Sequence, residues 1–465
     1  MSRRFIALFA MPAFLLGGCQ TVTTLGDHTA ATLGLEDEPH SYTSSMVSEP
    51  RRSGIAVADE PLAARAGAAV LADQGTAVDA VATMFFSLTA TYPVAAGLGS
   101  GGICLVRDLS GQVTEFDFLT KAPKAGGYYA LPGAPAGFAA MHKLYGALPW
   151  QRIVAPGEAF ASTGFPISEA LASRLAPAQN LLRLDAGLAA EFLDEAGSPR
   201  AAGAEAKNVP LGVTLGQIRL NKADGFYKGA VAASIAAYSS AQGGGISLGE
   251  LAATAVSQDP ALTRSMGGFT IYLPGARTGA GAFSAAMLAN LSRDLRATRN
   301  PAGATQSAVG QALGSFGVAS VPGDLGSTGF AAVDANGTAA SCAVTLNGPF
   351  GSGHTAGSTG VVLGATPSSQ AGIASAFLAP VIATSNGAVA LAGAGAGGPN
   401  GTAAAIYAVL EAAGGRELGK RGDLRGTGRA PFDTVNMISC SPEACVALTD
   451  PGAHGAGVTA EVTMR

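Results

Sequence analysis

The chain has 465 residues, 48% of them hydrophobic and 13% charged, which excludes a disordered chain and supplies enough apolar surface for a large core. A net charge of −4, with no long basic run in the body of the chain, leaves no electrostatic footprint for nucleic acid, so no such partner is expected. No long charged or Pro/Ser-rich linker interrupts the sequence beyond residue 53, and one large domain is expected there.

In chain order, Arg3-Arg4 precede an apolar run from Phe5 to Leu16, and Gly17-Gly18-Cys19 follow it. The run is too short to span a bilayer permanently and reads as a signal peptide over residues 1–19. Leu16-Gly17-Gly18-Cys19 resembles the bacterial lipobox, which implies acylation of Cys19 and a membrane partner through that lipid. The alternative is an ordinary secretory signal with an incidental cysteine. Gln20 favours the outer membrane, so the expected location is periplasmic and lipid-anchored, with residues 20–52 as a flexible tether.

The pattern from Pro61 to Leu88 predicts two apolar-faced helices separated at Gly75. The glycines from Gly97 to Gly102 feed a buried strand over Ile103 to Val106. They do not form a dinucleotide fingerprint, because the order here is helix, glycines, strand. Between Pro210 and Leu295 the spacing predicts helical scaffold, notably Leu215 to Leu220 and Val231 to Tyr238. Beyond residue 321 strands are expected at Phe330 to Val333, Ala339 to Leu346, Gly360 to Leu363 and Ala388 to Leu391, with one more helix near Thr402 to Ala413. Helices early and strands late suggest sheets covered by helices.

Export bears on the cysteines. Cys440 and Cys445 have the spacing to pair across a turn, whereas Cys104 and Cys342 lie in apolar runs and read as buried thiols. His28, His40, His142, His354 and His454 are scattered without metal-ligand spacing, so neither metal nor cofactor is expected.

Chemistry gathers at one hairpin. Ser327 to Val333, the turn Asp334-Ala335-Asn336-Gly337, and Thr338 to Leu346 read as strand, turn, strand. Turn centres on either side of Asn336 put Ser327 opposite Val344, Thr345 or Leu346. Thr345 and Asn347 then finish beside Ser327, although the same residues also satisfy a hairpin end without chemistry.

Several segments resemble the gamma-glutamyltranspeptidase family: Pro61 to Gly67, Ala77 to Ala80, Gly99 to Gly102, Ala122 to Ala125, Pro132 to Gly137, Tyr145 to Trp150, the hairpin, Phe350 to Gly353, Pro380 and Gly397-Gly398. The resemblance implies an α+β fold, the four-layer αββα sandwich of N-terminal-nucleophile hydrolases. It also implies self-cleavage between Gly326 and Ser327 into a large subunit (53–326) and a small subunit (327–465) that together form one domain. Ser327 becomes the nucleophile where the family uses threonine, with Thr328 as the alternative if the register slips. The freed α-amine becomes its base. Thr345 orients the nucleophile, Asn347 helps hold a small-molecule amide, and Gly397-Gly398 offer an oxyanion hole, although those glycines also read as a tight turn.

The implied activity is hydrolysis or acyl transfer on γ-glutamyl amides such as glutathione. The alternatives are an acylase for another amide and a catalytically inactive envelope protein of the same fold. The resemblance fails at the acyl pocket. Leu119 stands where the family places an arginine for the substrate carboxylate, with Lys121 nearby. Gly364 to Ser369 offer no acid, and Ala376-Phe377 replace paired serines.

Overall fold

The computed structural model describes residues 49–50, 53–297, 300–367, 373–414, 432–441, 444–449 and 454–461. The signal-peptide and tether expectations, including Cys19, lie outside the described residues, apart from the short strand β1 at Glu49–Pro50.

Near the start, Ser53–Ala58 (β2) leads into two helices, Pro61–Ala72 (α1) and Ala77–Thr91 (α2). Both begin where local chemistry dictates. The Glu60 carboxylate accepts from Ala63 N at 2.8 Å with Pro61 at the first helical position, and Thr76 and Asp79 form a reciprocal capping box. Gly101–Arg107 (β3) and Val113–Asp117 (β4) follow, then Ala134–Tyr145 (α3) and Trp150–Thr163 (α4). A helical region with the two-residue strands Phe165–Pro166 (β5) and Glu205–Ala206 (β6) continues through Val209–Asn221 and Gly229–Ala241, the two scaffold helices expected.

The scaffold expectation misses three strands, Ser257–Pro260 (β7), Leu262–Met266 (β8) and Phe269–Leu273 (β9). Phe269, Ile271 and Leu273 alternate with Thr270 and Tyr272, a period of two hidden between helical stretches. Next come Gly279–Ala297 (α5), Pro301–Ser315 (α6), the hairpin Ser327–Val333 (β10) and Ala339–Thr345 (β11), and Ala379–Ser385 (β12) with Ala388–Ala396 (β13). Pro399–Ala413 (α7), Thr434–Cys440 (β14), Ala444–Thr449 (β15) and Ala456–Glu461 (β16) complete the description. Gly360 to Leu363 is not a strand. Gly360 has φ +66°, and only isolated bridges form, Thr355 with Val362 and Gly99 with Leu363.

Two seven-stranded sheets result, ordered β16-β2-β10-β11-β3-β4-β7 and β1-β15-β14-β13-β12-β9-β8. Ile55, Val57, Leu105, Ala331 and Val333 from the first meet Ile382, Ala392 and Ile438 from the second in one apolar layer. Helices α1 to α3 cover the outer face of the first sheet, where Phe138 stacks on Phe330. On the outer face of the second, Phe283, Met287 and Leu291 of α5 pack with Val381, Leu391 and Met437. This is the expected four-layer αββα sandwich. Because both strands of the hairpin are covered on two faces, every residue of β10 and β11 is buried.

The Cys440–Cys445 bridge is present. The reading of Cys104 and Cys342 as thiols is overturned: they stand opposite each other on β3 and β11 and are joined as a disulfide. Their 238-residue separation hid a pairing that strand register creates.

One consequence for stability follows from Glu60. It is fully buried, accepts from Ala63 N and from Thr91 Oγ1, and burial pushes its pKa up from 4.5 to about 7. The folded state therefore holds this proton more tightly than the unfolded chain. That contribution is complete below pH 4.5 and is lost as pH rises through 7. We expect Glu60→Gln to remove a decline of about 2–3 kcal/mol between pH 5 and 8, read from urea midpoints at the two pH values. An unchanged pH slope in the variant contradicts this assignment.

Candidate active site

The hairpin turn is built by Asp334. One carboxylate oxygen accepts from Asn336 N at 2.9 Å and Thr338 N at 3.0 Å, while the other anchors the turn to Ala77 N at the start of α2 at 3.1 Å. The register that follows is Ser327 opposite Thr345, the middle of the three pairings expected, and Thr345 in turn lies opposite Gly101 of β3. Ser327 points between the sheets, where its Oγ accepts from Gly397 N at 2.8 Å.

Gly326 holds the bond before Ser327 in an unusual shape. Its φ is +56°, and a Cβ there would lie 1.7 Å from Gly348 O, so only glycine fits. Its N–H is fixed by Asp324 at 2.8 Å, and Asp324 is fixed by the buried Arg174, which also donates to the Tyr92 hydroxyl at 3.2 Å. The Gly326 carbonyl accepts from Leu346 N at 2.9 Å and from Thr345 Oγ1 at 3.1 Å. The carbonyl adjacent to the Ser327 hydroxyl is thus already polarised by two donors. Thr345 shares its single proton with Leu325 O at 3.1 Å and accepts from Asn347 N at 2.9 Å.

Asn347 sits at φ +63° and donates to Thr120 Oγ1 and to Ala365 O, each at 2.9 Å. Its Oδ1 is buried with no hydrogen-bond partner among the described residues, which leaves an acceptor free for a bound N–H. Gly397 has φ +90°, and a Cβ there would lie 2.1 Å from Phe432 O. Gly398 caps the N-terminus of α7, which starts earlier than the sequence suggested and follows directly on the Gly397 N–H that reaches Ser327 Oγ.

Thr328 has another task. Its hydroxyl donates to Asp59 at 2.6 Å, and the same carboxylate accepts from Thr434 Oγ1 at 3.0 Å and Asn436 Nδ2 at 2.6 Å. Asn436 Nδ2 also reaches Gly329 O at 2.8 Å. Burial pushes the Asp59 pKa up, opposed by these hydrogen bonds. Asp59, Asn436, Arg174 and Asp324 were missed from sequence. The only signal was Asp59-Glu60, two acids directly after the apolar strand Ile55 to Ala58.

Toward the expected acyl pocket the surroundings are apolar. The chain leaving β4 crosses Gly101, where a Cβ would meet Thr120 N at 2.2 Å, and this sets Leu119 against Ile103, Ala280, Ala343, Leu378 and Ala394. Lys121 is exposed, and a cleft of ≈ 660 Å³ has Leu119, Lys121, Lys124 and Glu250 among its lining residues. Ala365 lies beside Asn347 but contributes backbone only. Phe377 is packed edge-on against Phe283 in the apolar core under α5.

The family model described as gamma-glutamyltranspeptidase matches residues 63–307, ending before the hairpin. A glutathione hydrolase proenzyme of Escherichia coli (strain K12) is 28% identical over 292 residues, 58% of this chain and 49% of the relative. Glutathione hydrolase 7 of Homo sapiens is 33% identical over 140 residues, 27% of this chain and 21% of the relative. The chain thus spans at most about half the length of these curated relatives. Among solved structures, a cephalosporin acylase from Bacillus halodurans superposes with TM-score 0.71 at 18% identity, covering 91% of this chain and 98% of that one, which shows the shared fold. A Helicobacter pylori gamma-glutamyltranspeptidase matches at TM-score 0.51 and 26% identity over 56% of this chain and 81% of that one.

Proposed function

Because the chain belongs to the gamma-glutamyltranspeptidase family, we propose that it is a self-processing amidohydrolase or acyltransferase whose nucleophile is Ser327. The observation that carries this reading is the Gly326 carbonyl, held by Leu346 N and Thr345 Oγ1 next to the Ser327 hydroxyl. Ser327 Oγ attacks the Gly326 carbonyl carbon, and the amide nitrogen leaves as an amine, giving an ester. Water then hydrolyses the ester to a Gly326 carboxylate and a free Ser327 N-terminus. Two subunits result, 53–326 and 327–465.

In turnover the new α-amine, with a reference pKa of about 7.7–8.0, takes the hydroxyl proton as Ser327 attacks an external amide. Gly397 N, with Gly398 at the α7 N-terminus, stabilises the oxyanion, Thr345 orients the nucleophile, and Asn347 Oδ1 accepts from the substrate. Substrates of the γ-glutamyl class, such as glutathione, are supported by the names of the relatives. The reading extends to location: an exported protein anchored through acylated Cys19.

Leu119 in its apolar setting favours a second reading, with the same chemistry on an amide whose acyl group lacks the γ-glutamyl carboxylate and amine. Assay of the processed protein on a γ-glutamyl anilide beside simple aliphatic acyl anilides separates the two. The first reading expects the higher kcat/KM on the γ-glutamyl compound. Turnover of only the aliphatic anilides replaces it with the second, and a processed protein inactive on all of them counts against both.

A further inference from the structure

The Gly326–Ser327 bond falls between the two cysteines of the Cys104–Cys342 bridge. Cutting it leaves Cys104 on the fragment that ends at Gly326 and Cys342 on the fragment that begins at the nucleophile. We propose that the Cys104–Cys342 disulfide is a covalent link between the two fragments, holding the nucleophile-bearing subunit to its partner after self-cleavage. The inference rests on the processing reading above.

Among the cysteines of the described residues, only this pair joins the two sides of the cut. Cys440 and Cys445 close a bridge within the second fragment, and Cys19 lies in the lipobox-like segment of the first. The bridge joins the centres of β3 and β11, the two strands that carry Gly101 and Thr345 to the site. Cys342 also lies opposite Phe330, whose ring stacks on Phe138 of α3, so the sulfurs sit on the helix-covered face and the Ser327 hydroxyl on the other. The link therefore fixes the strand pairing without occupying the reaction space.

The chemistry balances with an external oxidising protein disulfide. The two thiols pass two electrons and two protons to it, leaving one S–S bond here and two thiols there. Both cysteines are fully buried, so the bridge must form as the strands pair, before the core closes over it. Once the backbone is cut, dissociation of the fragments would otherwise become concentration-dependent. The bridge keeps re-association intramolecular.

The test uses the full chain, exported to an oxidising compartment, with free thiols alkylated before denaturation. Denaturing electrophoresis without reductant should give one species of uncut mass, and the same sample with reductant should give two. In a Cys104→Ser/Cys342→Ser double variant two species should appear without reductant. If that variant does not fold, the wild-type pair of lanes decides alone. Two species from wild type without reductant overturn the link while leaving self-cleavage standing. A single species with reductant overturns the cleavage itself, and the link between fragments falls with it.

Discussion

Ser327→Ala leaves a single uncut chain and lowers amide turnover by a factor on the order of 10⁴–10⁶, the scale of losing a nucleophile from a preorganised site. The variant removes one oxygen from a buried position where it accepts from Gly397 N, so the fold should survive and the loss should be confined to chemistry. Electrophoresis and turnover of the wild type and variant, side by side, check this. Thr328→Ala is the contrast. Its hydroxyl serves Asp59, so self-cleavage continues while stability falls by about 1–3 kcal/mol, the cost of leaving a buried acceptor short of a donor. Cleavage lost in Thr328→Ala and kept in Ser327→Ala would exchange the roles of the two residues.

Thr345→Val acts on the same bond from the other side. The isosteric change takes away the hydroxyl that the Gly326 carbonyl shares with Leu325 O and leaves Leu346 N as its remaining donor. Removing one such donor costs about 10²–10³ in rate, so the uncut fraction should decay that much more slowly, while Thr345→Ser retains most of the wild-type rate. The decay of the uncut band with time supplies the measurement. Equal decay in Thr345→Val and wild type excludes a role for the hydroxyl in cleavage.

These expectations rest on a part of the molecule that was legible in sequence. The Asp, Asn and Gly turn confines the hairpin register, and register brings Ser327 and Thr345 face to face. What stayed hidden depends on chain segments far apart. Asp59 joins Thr328 and Asn436 across 269 and 377 residues, and Cys104 finds Cys342 only because β3 pairs with β11. No local period encodes such meetings. The β9 strand escaped notice because it closes a run of three short strands set between helices, and Gly360 to Leu363 misled because an apolar run resembles a strand whether or not a neighbour pairs with it.

The acyl pocket divides in the same way. Leu119 was visible as a departure, and the fold explains its setting: the chain crosses Gly101 and places that side chain among Ile103, Ala343 and Ala394. Phe377 was visible too, but only packing shows that it belongs to the core beneath α5. The proposed reactive centre is therefore defined by backbone geometry, the register of the hairpin and the tight backbone at Gly326 and Gly397, and the expected pocket by the apolar side chains around Leu119.

The central claim is that the chain cuts itself before Ser327. Intact-mass measurement of the purified, reduced protein tests it most directly. The account predicts two masses, one of them equal to residues 327–465 with a free serine amine at its N-terminus. A single mass that retains the Gly326–Ser327 bond would contradict it.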